Sequence, residues 1–110
     1  MASPSYIQRA QKLIADNDFL MISKSWCPDC VYAHRVWKDV GVADKVHLVE
    51  LDKLPGVEGP ELQKAFLELT NQNTVPNIFF KRKHMGGEVQ LEKMEKSGQL
   101  IKELKAAQLL

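Results

Sequence analysis

One stretch limits the fold more than any other: FLMISKSWCPDC, residues 19–30. It opens with FLMIS, a short apolar run of strand length suited to a strand covered on both faces. Pro28, a few residues later, fits the first position of a helix. Val31, Val36, Trp37 and Val40 then give that helix an apolar stripe, and Gly41 stops it. A buried strand feeding directly into a helix needs a second strand beside the first, reached by a right-handed parallel crossover. The chain's only two cysteines, Cys27 and Cys30, sit at this junction. They are so close in sequence that bridging them would close almost no loop, which makes them a poor structural staple. The pair therefore reads as chemical rather than architectural.

The rest of the chain supplies the partners. Ser3-Pro4 has the pattern of an N-cap followed by a first-position proline, and Ile7, Ala10, Leu13 and Ile14 recur at helical spacing to about Asp16. VHLVEL (46–51) predicts the second strand, and DKLPGVEGP (52–60), rich in proline and glycine, predicts a loop. Leu62, Ala65, Phe66 and Leu69 mark a helix ending near Asn71. NIFF (77–80) predicts a third strand entered through Pro76, and KRKH (81–84) a hairpin tip before a short return near Met85. Gly86-Gly87 opens a helix carrying Leu91 and Met94, Gly98 closes it, and QLIKELKAAQLL predicts a last amphipathic helix. The pattern is that of a small α/β sandwich, with helices on both faces of a mixed sheet.

At 110 residues the chain has the length of one domain, 1–110, with enough core to stand without disulfides. A net charge of +1 argues against general attraction to nucleic acid or anionic membrane. KRKH lacks interleaved aromatics and reads as a solvated turn. No apolar run has the length to span a bilayer. MASPSYIQRAQ has neither the apolar core of a secretory signal nor an arginine-rich presequence, so a reducing, cytoplasmic setting is expected.

Cys27 falls between a strand end and a helix start, where unpaired amides and the helix dipole favour an anion. The thiolate is the reactive form of a cysteine. Cys30 falls in the first turn, more sheltered, so Cys27 reads as the attacking sulfur and Cys30 as the resolving one. Two other readings compete: a pair of unreactive core cysteines, which Pro-Asp between them fits poorly, and a zinc site, but tetrahedral zinc takes four ligands, and beyond His34 only His47 and His84 remain, on separate elements. No metal is expected.

Three further motifs stand in order along the chain: Lys24, three residues before Cys27; Thr74-Val75-Pro76; and Gly86-Gly87. With Cys-Pro-x-Cys, these resemble the glutaredoxins of the thioredoxin superfamily over almost the full length. Asp29 stands where that family usually has tyrosine, and Trp26 precedes the first cysteine. WCPDC is similar to the motif of small thioredoxin-related proteins and of atypical, glutaredoxin-8-type fungal dithiol glutaredoxins, which also resemble this chain at SWCPDCVYA and GGEVQL. The resemblance implies a thioredoxin-like fold with a central four-stranded mixed sheet. It also implies a monomeric glutathione-dependent thiol–disulfide oxidoreductase acting on disulfides or glutathione mixed disulfides, served indirectly by the glutathione reductase system.

The same resemblance assigns roles around the cysteines. Pro76 is expected to be cis, leaving backbone at Val75 free to pair with an extended substrate; the alternative is an ordinary loop proline. Lys24 either lends positive charge to the thiolate and to a glutathione carboxylate or is a solvated strand-end lysine. Trp26 is either a rim aromatic touching substrate or a lid on the core. Asp29 disfavours a neighbouring thiolate and also suits a helix's first turn. The glutathione contacts fall on Asn73, Gly87, Val89 and Gln90. Asn73, shorter and uncharged, stands where the family often has arginine or glutamine, and Val89-Gln90 replaces a Ser/Thr-Asp pair that holds the γ-glutamyl end. Weak glutathione-dependent activity is the expectation. The competing readings are a thioredoxin-like reductase recycled by a thioredoxin reductase, an iron–sulfur carrier (disfavoured by Pro28) and a non-catalytic binding module.

Overall fold

The structure is a computed structural model and describes residues 2–110. Helix α1 (Pro4–Asp16) starts after Ser3 in extended conformation, with proline in its first turn. Strand β1 (Phe19–Ser23) leads into α2 (Pro28–Val40), which Gly41 ends in the left-handed conformation. Strand β2 (His47–Glu50) and helix α3 (Glu58–Thr70) follow, then the hairpin β3 (Asn77–Phe80) and β4 (Lys83–Gly86), and helices α4 (Glu88–Ser97) and α5 (Gln99–Ala106). The sheet order is β2-β1-β3-β4, with β1 and β2 parallel and the other pairs antiparallel.

The period of two along β1 explains its unbroken apolar run. Phe19 and Met21 pack with Ala33, Val36 and Trp37 of α2, Leu91 of α4, and Leu100 and Leu104 of α5. Leu20 and Ile22 pack on the opposite side with Ala10 of α1 and Leu62, Ala65 and Phe66 of α3. Strand β3 divides in the same way, Ile78 and Phe80 to the first cluster and Phe79 to the second. Phe19 stands edge-on to Trp37 and Phe80, with ring centroids 4.8 and 5.0 Å away. The sheet's central strands thus present their C-terminal and N-terminal ends, respectively, at one rim, where the cysteines lie.

Several sequence expectations need correction. Helix α3 begins at Glu58, inside the expected 52–60 loop. Pro60 lies in its first turn, where no intrahelical N–H is needed, and Gly59 is buried against the Leu51 backbone, which a side chain would strike. Val31 is 55% exposed, and Cys30 and Ala33 take the inward positions of α2 instead. Leu69 is also exposed at the edge of α3. The hairpin tip is only Lys81-Arg82, both at positive φ, while Lys83 and His84 already belong to β4. Strand β2 stops at Glu50, and the last helix stops at Ala106, with Leu109 folded back into the core.

Candidate active site

Two consecutive turns of backbone place the cysteines. The Cys27 amide donates to the Lys24 carbonyl at 3.2 Å, ending the loop after β1, and the Val31 amide donates to the Cys27 carbonyl at 3.0 Å, starting α2. Cys27 is the N-cap residue and is 9% exposed; Cys30, one turn in, is 1% exposed. Both are free thiols. The Cys27 thiol points to the Val75 carbonyl, Sγ to O 3.8 Å. The Val75–Pro76 peptide is cis, so Pro76 is not the ordinary trans loop proline that the sequence left open. Burial pushes the Cys30 thiol up to about 11, while the Ser23 hydroxyl and the Lys24 amide beside the sulfur oppose that rise. Ser23 is 1% exposed, and its Oγ makes no hydrogen bond of ordinary geometry.

The rim on one side is built from the β1–α2 loop. Trp26 is 68% exposed, which removes the reading of it as a lid on the core. The Lys24 ammonium sits 5.7 Å from the centre of its ring, a cation–π contact. Ser25 is pinned by Asp52, its amide donating at 3.0 Å and its hydroxyl at 2.5 Å. These bonds, the hydroxyl's foremost, hold the Asp52 carboxyl below its ordinary range. A shallow pocket lies beside this loop, lined by Lys24, Trp26, Leu51, Asp52, Gly59, Pro60 and Gln63. Gln63 donates to the Asn73 carbonyl at 2.7 Å, and Gln72 donates to the carbonyls of Thr74 and Pro76, both at 3.1 Å. Ser25, Asp52, Gln63 and Gln72 were not singled out from the sequence. Their pairing depends on which strands and loops lie side by side.

The other side of the rim is the start of α4. Gly86 has φ +112°, and Gly87 approaches the Pro76 carbonyl and Gln72 so closely that a side chain there would crowd both. The Gly87 amide donates to Gln90 Oε1 at 2.9 Å. Gln90 therefore caps its own helix. Val89 is 56% exposed. Glu88 faces Glu92 on its own helix and Asp29 across on α2; a hydrogen bond shared with Glu92 first, then burial, then the charges of Glu92 and Asp29 push its carboxyl up. The structure thus brings the Val75 carbonyl and Cys30 to the Cys27 sulfur, with Lys24 and Trp26 in the loop that precedes it and Asp29 in the first turn that follows. Asn73 is engaged through its backbone carbonyl.

A thiol at a helix start, a second thiol one turn deeper and, against the first, the carbonyl of the residue that precedes a cis proline are a disulfide-exchange geometry. The glutaredoxin family profile matches residues 19–85 of this chain. The chain belongs to the glutaredoxin family. With Cys27 and Cys30 in its Cys-x-x-Cys active site it is a dithiol glutaredoxin, of the family of glutathione-dependent oxidoreductases. It is 34% identical to glutaredoxin-8 of Saccharomyces cerevisiae over 106 residues, 96% of this chain and 97% of that one. The solution structure of yeast dithiol glutaredoxin Grx8 superposes with a TM-score of 0.82 at 33% identity, covering 98% of this chain and 99% of that one. A buckwheat glutaredoxin–glutathione complex superposes with a TM-score of 0.86 at 29% identity, covering 96% and 93%. Among the described residues, this glutaredoxin has no helix long and apolar enough to cross a membrane.

Proposed function

We propose that this dithiol glutaredoxin, as a single domain over residues 1–110, reduces disulfides and glutathione mixed disulfides with Cys27 as the attacking sulfur, and that it holds glutathione weakly. The Cys27 thiolate attacks one sulfur of the substrate disulfide; the S–S bond breaks, one thiolate leaves, and a mixed disulfide to Cys27 remains. Either the Cys30 thiolate then displaces the second half, forming the Cys27–Cys30 disulfide, or glutathione displaces Cys27 directly. Two glutathione molecules re-reduce the internal disulfide and leave as oxidised glutathione. The observation that carries the order of events is depth: Cys27 lies at the rim against Val75, Cys30 one turn below it with 1% exposure.

Weak glutathione binding is supported by the α4 side. Gln90 Oε1 already accepts from the Gly87 amide, the Val89 side chain offers no hydrogen bond, and Glu88 and Asp29 place carboxylates where an anionic tripeptide would approach. Lys24 and Trp26 remain to meet a carboxylate and the apolar part of the ligand, and Asn73 contributes less than a longer, charged residue would. The second reading, a disulfide reductase recycled by a thioredoxin reductase, is favoured by the exposed Trp26 and by Asp29. Consumption of NADPH with a small glutathione mixed disulfide separates them. Turnover with glutathione and glutathione reductase, lost in Cys27→Ser, supports the glutaredoxin cycle; turnover only with thioredoxin reductase overturns it.

A further inference from the structure

Strand β1 ends in a residue the exchange cycle above leaves unused. Period two places Ser23 on the same face as Phe19 and Met21, under α2, where Cys30 and Ala33 point inward. Its hydroxyl is 1% exposed, has no hydrogen bond of ordinary geometry, and lies beside the Cys30 sulfur. A buried hydroxyl without a partner is unfavourable, and a redox or catalytic role is one reason such a group is kept. A neutral thiol is a weak acceptor, whereas a thiolate is a strong one. We infer that Ser23 is a catalytic residue of the second half-reaction, its O–H donating to Cys30 as that sulfur loses its proton and attacks.

The inference rests on Cys30 being the resolving cysteine. In the step, Cys30–SH gives its proton to solvent or to the departing thiolate. The Cys30 thiolate attacks the Cys27 sulfur of the mixed disulfide, a Cys27–Cys30 bond forms, and the substrate sulfur leaves with the electron pair. The two cysteines are oxidised together and the substrate is reduced, so no other oxidant is needed. Cys30 is driven by burial toward the neutral form, and Cys27, the titratable group beside it, adds to that; the Lys24 amide and the Ser23 hydroxyl act the other way. The charged side chains around this end of α2, Lys24, Asp29 and, from α4, Glu88, sit at the rim and face solvent or one another. The donor aimed at Cys30 from the sheet is therefore a hydroxyl, which cannot accept the proton for storage but can stabilise the charge left behind.

Losing one hydrogen bond to a charged sulfur lowers its thiolate fraction about ten- to a hundredfold. The more basic sulfur regains part of that as nucleophilicity, leaving a rate loss of about three- to tenfold. Rapid mixing of the reduced protein with limiting dithiobis(nitrobenzoate) reads both halves, since each attack releases one coloured thiolate. Ser23→Ala is expected to leave the first phase unchanged and to slow the second about three- to tenfold at neutral pH, the gap closing as the pH rises into the range where Cys30 ionises unaided. Ser23→Thr and Ser23→Val differ by the hydroxyl in one shape, and the first should keep a faster second phase than the second. Equal slowing of both phases, an unchanged second phase in Ser23→Ala, or equal rates in the Thr and Val variants each overturn the inference. Cys30→Ser should retain the first phase and lose the second; loss of the first would instead reverse the two cysteines' roles, and the inference would fall with them.

Discussion

Gly86→Ala tests how the start of α4 is built. At φ +112° a side chain is strained whatever space surrounds it, and residues forced into such backbone cost about 1–3 kcal/mol. The added methyl would also stand 2.8 Å from Gln90 Cγ and from Oε1, the atom that accepts from the Gly87 amide. Gln90 is flexible and can swing away, but the Gly87 bond is then lost, at about 0.5–1.5 kcal/mol. The sum is about 1.5–4.5 kcal/mol. For a chain of 110 residues that is a fall in Tm of about 6–18 °C. Urea unfolding of Gly86→Ala, Gln90→Ala and the double variant measures the two parts separately. In the Gln90→Ala background Gly86→Ala should cost less, by about the value of the lost bond, because only the backbone strain remains. A total loss under about 0.5 kcal/mol would refute the strain, and an identical loss in both backgrounds would refute the role given to Gln90.

Val89→Thr combined with Gln90→Asp supplies a hydroxyl and a charge for the γ-glutamyl end, and at this exposed site about 1 kcal/mol is expected; the KM for glutathione should fall roughly fivefold, and an unchanged KM would remove the α4 start from the glutathione site. Trp37→Ala deletes a fully buried ring packed edge-on against Phe19 and should cost about 3–5 kcal/mol, read by urea unfolding. Asp52 gives a pH dependence whose sign is fixed: its carboxyl is depressed, first by the Ser25 hydroxyl and then by the Ser25 amide. Its hold on the loop is complete above the unfolded carboxylate value of about 4 and is lost as pH falls through the lower folded value. Exchange protection at the Ser25 amide should follow that course, and Asp52→Ala should lack both the protection and its titration.

The local features of the fold were legible because local chemistry decides them. Pro4, Gly41, Gly98 and the apolar FLMIS run each specify backbone or burial without reference to distant residues. The centre of the α2 stripe was not, since period alone admits Val31 as readily as Ala33; only the sheet beneath the helix chooses between them. The start of α3 was masked by Gly59 and Pro60, residues that usually end helices but here serve a close backbone approach and a first turn. Strand order is a non-local pairing that the pattern leaves open. The site divides in the same way. Cys27 and Cys30 could be read from spacing and from their place at a strand-to-helix junction. The Ser25–Asp52 pair exists because β1 and β2 run parallel with Ser23 opposite Glu50, so that the residues two further along meet. Gln63 and Gln72 act on carbonyls of a loop whose course no sequence pattern reveals. Ser23 lay within reach: it shares parity with Phe19 and Met21 and so had to face α2, but a serine at a strand end reads as a boundary until the sulfur above it is in place.

The chain's two tryptophans lie at opposite extremes, Trp37 with 0% exposure among the core aromatics and Trp26 with 68% at the mouth of the site under the Lys24 ammonium. Their light is accordingly divided by place. The blue-edge emission belongs to the packed interior and follows unfolding; the red-edge emission belongs to the rim and is open to a neutral quencher in the solvent. A ligand whose carboxylate draws Lys24 off the indole changes the red component alone. The native protein thus carries, unlabelled, one optical channel for its integrity and another for the occupancy of its site.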